Sequence, residues 1–223
     1  MLKNQLPAAV LWDMDGTLVD SEHYWMKSER DLAAAHSREW TQQDGFDLIG
    51  MSLYDSSQVI KEKLDSSLHP HEIIARLTDG VREQLAVDVP WRPGAKELLL
   101  TLREAGIKTA LVTMSLHHMA QEVVNQIPFK AFDVIVGGDD VARGKPFPDP
   151  YLRAAELLGV NPSDCIAIED SNTGLRSAEA AGTKAIGVPN FIEIPLTPGR
   201  TIWPTLEGVT IDDLRNLFLD RKP

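Results

Sequence analysis

The hydrophobic pattern of the chain switches between two periodicities. Ala8–Trp12 is a short apolar run that predicts a buried strand. From Asp20 to Ala86 the spacing becomes helical. Ser21 is placed to cap a helix running to His36, with Trp25, Leu32, Ala33 and His36 at helix-like intervals. A break follows at Asp44-Gly45. Leu53–Leu64 and Pro70–Leu85 read as two further helices, the second entered through His69-Pro70-His71-Glu72. Two prolines and a glycine in Val89–Gly94 interrupt this helical block.

Strand and helix patterns then alternate. Pro93–Ala105 carries a stripe of Ala95, Leu98, Leu99 and Leu102, and Ile107–Thr113 reads as a buried strand. Ser115 is placed to cap a helix with Leu116, Met119, Val123 and Ile127 on one face. Phe132–Val136 is a strand closed by Gly137-Gly138. Asp149-Pro150 opens a helix carrying Leu152, Ala155 and Leu158. Cys165–Ile168 and Lys184–Val188 read as strands around a helix over Asn172–Ala181. Phe191–Pro204 is proline-rich and reads as irregular, and Thr210–Leu219 as a terminal helix. This alternation predicts an α/β fold: a three-layer α/β/α, Rossmann-like core with a parallel sheet, built from 1–17 and 91–223. Residues 18–90 are expected as an inserted, all-helical cap domain.

Composition narrows the function classes. The 223 residues carry 22 basic and 33 acidic side chains, a formal charge of −11. That balance disfavours nucleic acid as a partner. The one cysteine, Cys165, lies in an apolar run and reads as a packed core thiol, which suits a reducing compartment. No apolar stretch is long enough to span a bilayer, and Met1–Pro7 lacks a signal-peptide core. The expectation is a cytoplasmic protein without a membrane partner, a monomer or small homo-oligomer.

Chemistry gathers at the strand ends. The first strand runs into Asp13-Met14-Asp15-Gly16, the next into Thr113-Met114-Ser115, and the fourth into Glu169-Asp170-Ser171. Arg143-Gly144-Lys145-Pro146 precedes the Asp149 helix. In a parallel sheet these ends share one edge, where ligands bind. Several carboxylates there would raise each other's pKa values, and a hard divalent cation such as Mg²⁺ relieves that repulsion. Thr113 and a lysine offer donors to a phosphate, and a carboxylate facing phosphorus can act as a nucleophile.

Taken in order, Asp13-Met14-Asp15-Gly16-Thr17-Leu18, Thr113, Lys145-Pro146 and Glu169-Asp170-Ser171 resemble the haloacid dehalogenase-like superfamily. The resemblance is to the branch holding phosphoglycolate phosphatase, sugar-phosphate phosphatases and β-phosphoglucomutase. It implies Asp13 as nucleophile and Asp15 as general acid/base. It implies Thr113, Met114 and Lys145 as phosphate-binding residues, with Lys145 also restraining Asp13. It implies Mg²⁺ held by Asp13, the Asp15 carbonyl and Asp170, with Glu169 in support. The implied activity is hydrolysis of a small phosphorylated metabolite, a sugar or polyol phosphate, through an aspartyl-phosphate.

Alternatives sort by residue. Dehalogenases of the superfamily lack the second aspartate, so Asp15 argues for phosphoryl transfer. A β-phosphoglucomutase-like phosphotransferase is the runner-up: Leu48-Ile49-Gly50-Met51-Ser52 resembles its cap. Leu53 stands where the mutase has a phosphate-gripping arginine, and Trp25 where it has a histidine. A non-catalytic binding protein on this fold could dispense with Asp13, Asp15, Lys145 and Asp170, and all four are present. His23 and Trp25 are candidate substrate-facing cap residues, and His117 a candidate at the pocket rim. His117 and His118, adjacent on a helix and about 100° apart, do not make one metal-binding face.

Overall fold

A computed structural model describes residues 6–197 and 200–219. The chain forms two compact units: one runs through Val19 and resumes at Trp91, and the other is Asp20–Pro90.

The first unit is a six-stranded sheet of β1 (Ala9–Trp12), β2 (Lys108–Val112), β3 (Val134–Val136), β4 (Cys165–Glu169), β5 (Lys184–Gly187) and β6 (Thr201–Ile202). The order is β3-β2-β1-β4-β5-β6, and every pairing is parallel. Successive strands step outward on one side of β1, and the chain then returns to build the other side. The order therefore reverses at β1, which puts a ligand crevice at the carboxyl ends of β1, β2 and β4.

All four residues of β1 and all five of β4 are buried. Since neighbouring side chains on a strand point to opposite faces, both faces of the sheet are covered. Ala9, Leu11, Ala110, Val112 and Ala167 pack on one face with Tyr151, Ala154 and Leu158 of α7 (Asp149–Leu158) and Ala178 of α8 (Asn172–Ala180). Three more helices belong to this unit: α5 (Ala95–Glu104), α6 (His117–Asn125) and α9 (Ile211–Leu219). The α5 stripe Ala95, Leu98, Leu99 and Leu102 is fully buried, as its spacing requires.

The second unit holds α1 (Glu22–Ala35), α2 (Gln42–Phe46), α3 (Leu53–Lys63) and α4 (Pro70–Leu85). Helix α4 packs against both α1 and α3 through Ile73, Ile74, Leu77, Val81 and Leu85, which recur at helical spacing. The Asp20 N–H donates to the Pro90 carbonyl at 2.6 Å, drawing this unit's two chain ends together.

Four local expectations are corrected. Thr201–Ile202, inside the stretch read as irregular, is a strand, because Gly187 and Ile186 on β5 offer it a ladder. The Asp44-Gly45 break is the short helix α2, whose Thr41 and Asp44 form a reciprocal cap. Ser21 precedes α1 without a side-chain cap bond. Ser115 caps nothing: α6 starts two residues on, at His117. On α7 it is Tyr151 that turns inward, while Leu152 is 43% exposed.

Candidate active site

The sheet register lays the site out. Trp12 is level with Leu111 and with Ile168, so the next residues, Asp13, Val112 and Glu169, lie abreast on adjoining chains. Asp13 continues the ladder, its N–H donating to the Ile168 carbonyl at 3.0 Å. Beyond it the chain turns back sharply: the Leu18 and Val19 N–H groups both donate to the Met14 carbonyl. The turn needs Gly16, which has φ +82° and faces the Asp170 carboxylate, with no room for a β-carbon. Gly174 on α8 makes the same allowance for Glu169, whose carboxylate a β-carbon would meet at 2.0 Å.

Lys145 spans this row of three. Its Nζ is 2.6 Å from Asp13 Oδ1, 2.9 Å from the Val112 carbonyl oxygen and 2.6 Å from Glu169 Oε1. Lys145, Asp13, Glu169 and Asp170 are all buried. The Lys145 pKa is raised: burial opposes its charge, but Asp13 and Glu169 outweigh that cost. Asp13 is pushed up by burial and by the Glu169 charge, against the pull of Lys145. Asp13, Glu169 and Asp170 each bring a carboxylate oxygen into one group within 4.8 Å. Three carboxylates face one ammonium in a buried space, an excess of acidic groups over basic ones. An all-oxygen donor set with that excess fits a hard divalent cation.

Asp15 stands beside this group. Its Oδ2 accepts from Ser115 Oγ at 2.7 Å and from Thr113 Oγ1 at 3.3 Å. Thr113 Oγ1 in turn accepts from the Ser115 N–H at 3.0 Å, which fixes both hydroxyls. Met114 presents its sulfur to the Lys145 backbone N–H at 3.3 Å, and its methyl fills the space a β-carbon on Gly144 would need. Met114 thus shapes the lysine loop from across the site.

Asp13, Thr113, Met114, Lys145, Glu169, Asp170 and Asp15 therefore meet at one sheet edge. His117 lies on the first turn of α6, its Nδ1 2.5 Å from Asp140 and its N–H donating to Asp139 at 2.7 Å. His23 and Trp25 belong to the second unit, on α1, where His23 is exposed and Trp25 buried.

Two residues escaped the sequence reading. Ser115 looks like a helix cap because it lies just before α6, and only the distant Asp15 gives its hydroxyl another partner. Tyr151 donates its hydroxyl to Glu169 Oε1 at 2.5 Å, and its ring lies under Lys145 Nζ at 5.3 Å. Its place two residues after Asp149 was the available signal, since that helix start follows the lysine loop.

Fold and site together define an α/β protein whose carboxylates and lysine gather at the carboxyl edge of a parallel sheet. The chain belongs to the haloacid dehalogenase-like hydrolases, whose family it matches over residues 7–182. It is 30% identical over 192 residues to the fructose-1-phosphate phosphatase YqaB of Escherichia coli strain K12, covering 81% of this chain and 96% of that one. It is also 30% identical over 222 residues to the bifunctional riboflavin kinase/FMN phosphatase of Arabidopsis thaliana. That match takes in 97% of this chain but only 56% of the plant protein. Among solved structures, CbbY from Rhodobacter sphaeroides in complex with xylulose-(1,5)bisphosphate aligns with a TM-score of 0.80 at 26% identity. The alignment covers 91% of this chain and 96% of CbbY. No helix among the described residues is long and apolar enough to cross a membrane.

Proposed function

We propose that this chain is a Mg²⁺-dependent phosphomonoester hydrolase acting on a small phosphorylated metabolite, a sugar or polyol phosphate. The observation that carries the reading is the buried row Asp13–Lys145–Glu169 with Asp170 beside it. The sugar-phosphate preference rests on relatives such as the fructose-1-phosphate phosphatase. Asp13, Glu169 and Asp170, with the Asp15 backbone carbonyl, would hold Mg²⁺. Bound there, Mg²⁺ would neutralise charge on the phosphoryl oxygens.

The chain's own groups account for the proton and bond changes. An Asp13 carboxylate oxygen attacks phosphorus, and the bond from phosphorus to the ester oxygen breaks. Asp15 gives that oxygen its proton, so an alcohol leaves. Asp15, now ionised, takes a proton from a water that attacks the aspartyl-phosphate, releasing orthophosphate and restoring Asp13. Lys145 meets the charge that grows on the phosphoryl oxygens, while the one O–H of Thr113 is committed to Asp15. Ser115 and Thr113 hold the Asp15 carboxyl in place during both transfers.

The test is orthophosphate release from a panel of phosphorylated sugars, polyols and glycolate, with Mg²⁺ or EDTA, beside Asp13→Asn. Turnover that needs both Mg²⁺ and Asp13 is the expected result. If no ester is hydrolysed but β-glucose 1-phosphate is isomerised with a bisphosphate primer, the protein is a phosphotransferase instead. Silence in both assays leaves a binding protein. His23 and Trp25 in the helical unit, and His117, are the residues to vary for substrate preference. The buried free thiol of Cys165 suits a cytoplasmic enzyme, and we propose a monomer or small homo-oligomer.

A further inference from the structure

An ammonium has three N–H donors, and all three of Lys145's have acceptors: Asp13, the Val112 carbonyl and Glu169. To grip a phosphoryl oxygen, Lys145 must turn one of them away. Asp13 is the group to be aligned for attack. Val112 is fully buried, so water would not replace a bond lost at its carbonyl. Glu169 is different, because it has other donors. Tyr151 donates to the same Oε1 at 2.5 Å, and Ser171 Oγ lies 3.4 Å from Oε2. Tyr151 is also fixed. It is fully buried on α7, packed in the core with Ala9, Leu11 and Val112. Its ring lies 5.3 Å from Lys145 Nζ, a cation–π contact that attracts the ammonium wherever over the ring it moves.

We infer that Tyr151 is a positioning residue: its hydroxyl keeps Glu169 satisfied while Lys145 swings one N–H from Glu169 to the phosphoryl oxygen. The inference rests on the phosphatase reading. Without the hydroxyl, Glu169 would hold Lys145 more tightly, and phosphate would have to compete harder for it.

Tyr151→Phe removes the hydroxyl and keeps the ring. Calorimetric titration measures orthophosphate binding at saturating Mg²⁺, and Mg²⁺ binding alone, for wild type and variant. Thermal unfolding in EDTA checks the fold. Orthophosphate should bind about tenfold more weakly to the variant, with Mg²⁺ affinity moved by less than about twofold. Equal orthophosphate affinity overturns the inference. So does an equal weakening of both ligands, which would mean that Tyr151 serves only a metal ligand. A wild type that binds Mg²⁺ but no orthophosphate overturns the phosphatase reading and this inference with it. If the variant does not fold, 3-fluorotyrosine at position 151 keeps the shape and makes the phenol a stronger donor. Tighter orthophosphate binding, by about twofold, is then expected, and unchanged binding overturns the inference.

Discussion

A β-carbon on Gly16 would lie 2.1 Å from Asp170 Oδ2. The glycine that lets the chain turn after Asp15 is also the floor on which a carboxylate from β4's end rests. Gly16→Ala meets two costs, the φ of +82° and the displaced carboxylate. Folding should weaken by about 1–3 kcal/mol. The more telling effect is on the acidic group: half-saturation by Mg²⁺ should rise at least about tenfold, since Asp170 must leave its place beside Asp13. Titrating Mg²⁺ against thermal stability separates the two. A variant that is destabilised but keeps wild-type Mg²⁺ affinity would show that Asp170 moves without consequence.

Lys145→Met should destabilise the protein and make it lean on the metal. The substitution leaves Asp13, Glu169 and Asp170 buried together with no ammonium among them. Removing one partner from a buried ion pair costs about 3–5 kcal/mol. The loss should be largest in EDTA, and Mg²⁺ should raise the variant's Tm by more than it raises the wild type's. An equal Mg²⁺ shift in both proteins would contradict the acidic excess on which the metal site is argued. Phosphatase activity should fall in the same variant by at least about a hundredfold.

Ser115→Ala should lower kcat by about tenfold and leave KM nearly unchanged. Its hydroxyl donates at 2.7 Å to the Asp15 oxygen that also accepts from Thr113. Losing one of two tethers leaves the acid group present but less well aimed, an effect on the chemical step and not on binding. A rise in KM alone would mean that Ser115 binds the phosphoryl group directly.

How legible these roles were depends on how far each residue's partner lies along the chain. The strand-to-Asp13 junction, the helical block and the α5 stripe are written in local spacing, and hydrophobic periodicity finds them. Thr201–Ile202 is two residues in a proline-rich stretch. It becomes a strand only because β5 offers an open edge. Tyr151 was legible on α7, where it makes an i, i+3, i+4, i+7 stripe with Ala154, Ala155 and Leu158 that Leu152 does not share. What the spacing does not show is that the tyrosine hydroxyl finds the Glu169 carboxylate. Ser115 shows the same limit: a serine just before a helix looks like a cap until the structure brings Asp15 to it. The chemistry-bearing residue types could be read from the sequence, but their hydrogen-bond partners could not.

Glu29 gives the helical unit its own pH dependence. It is buried on α1, and its Oε2 accepts from Trp40 Nε1 at 3.1 Å. Burial pushes its pKa up to about 7, an effect the Trp40 bond and the Arg30 charge only partly offset. In the unfolded chain the group titrates near the ordinary glutamate value of about 4.3. The folded state therefore binds the proton more tightly than the unfolded one. Its contribution to stability is complete below about pH 4.3 and declines as pH rises to about 7. Above that the protein carries a constant cost of about 3–4 kcal/mol. Glu29→Gln keeps an oxygen for Trp40 and cannot ionise. Its Tm should match the wild type's near pH 4.5 and exceed it at pH 8, with the gap opening between those values. A gap of the same size at both pH values would mean that the side chain's shape, and not its charge, sets the difference.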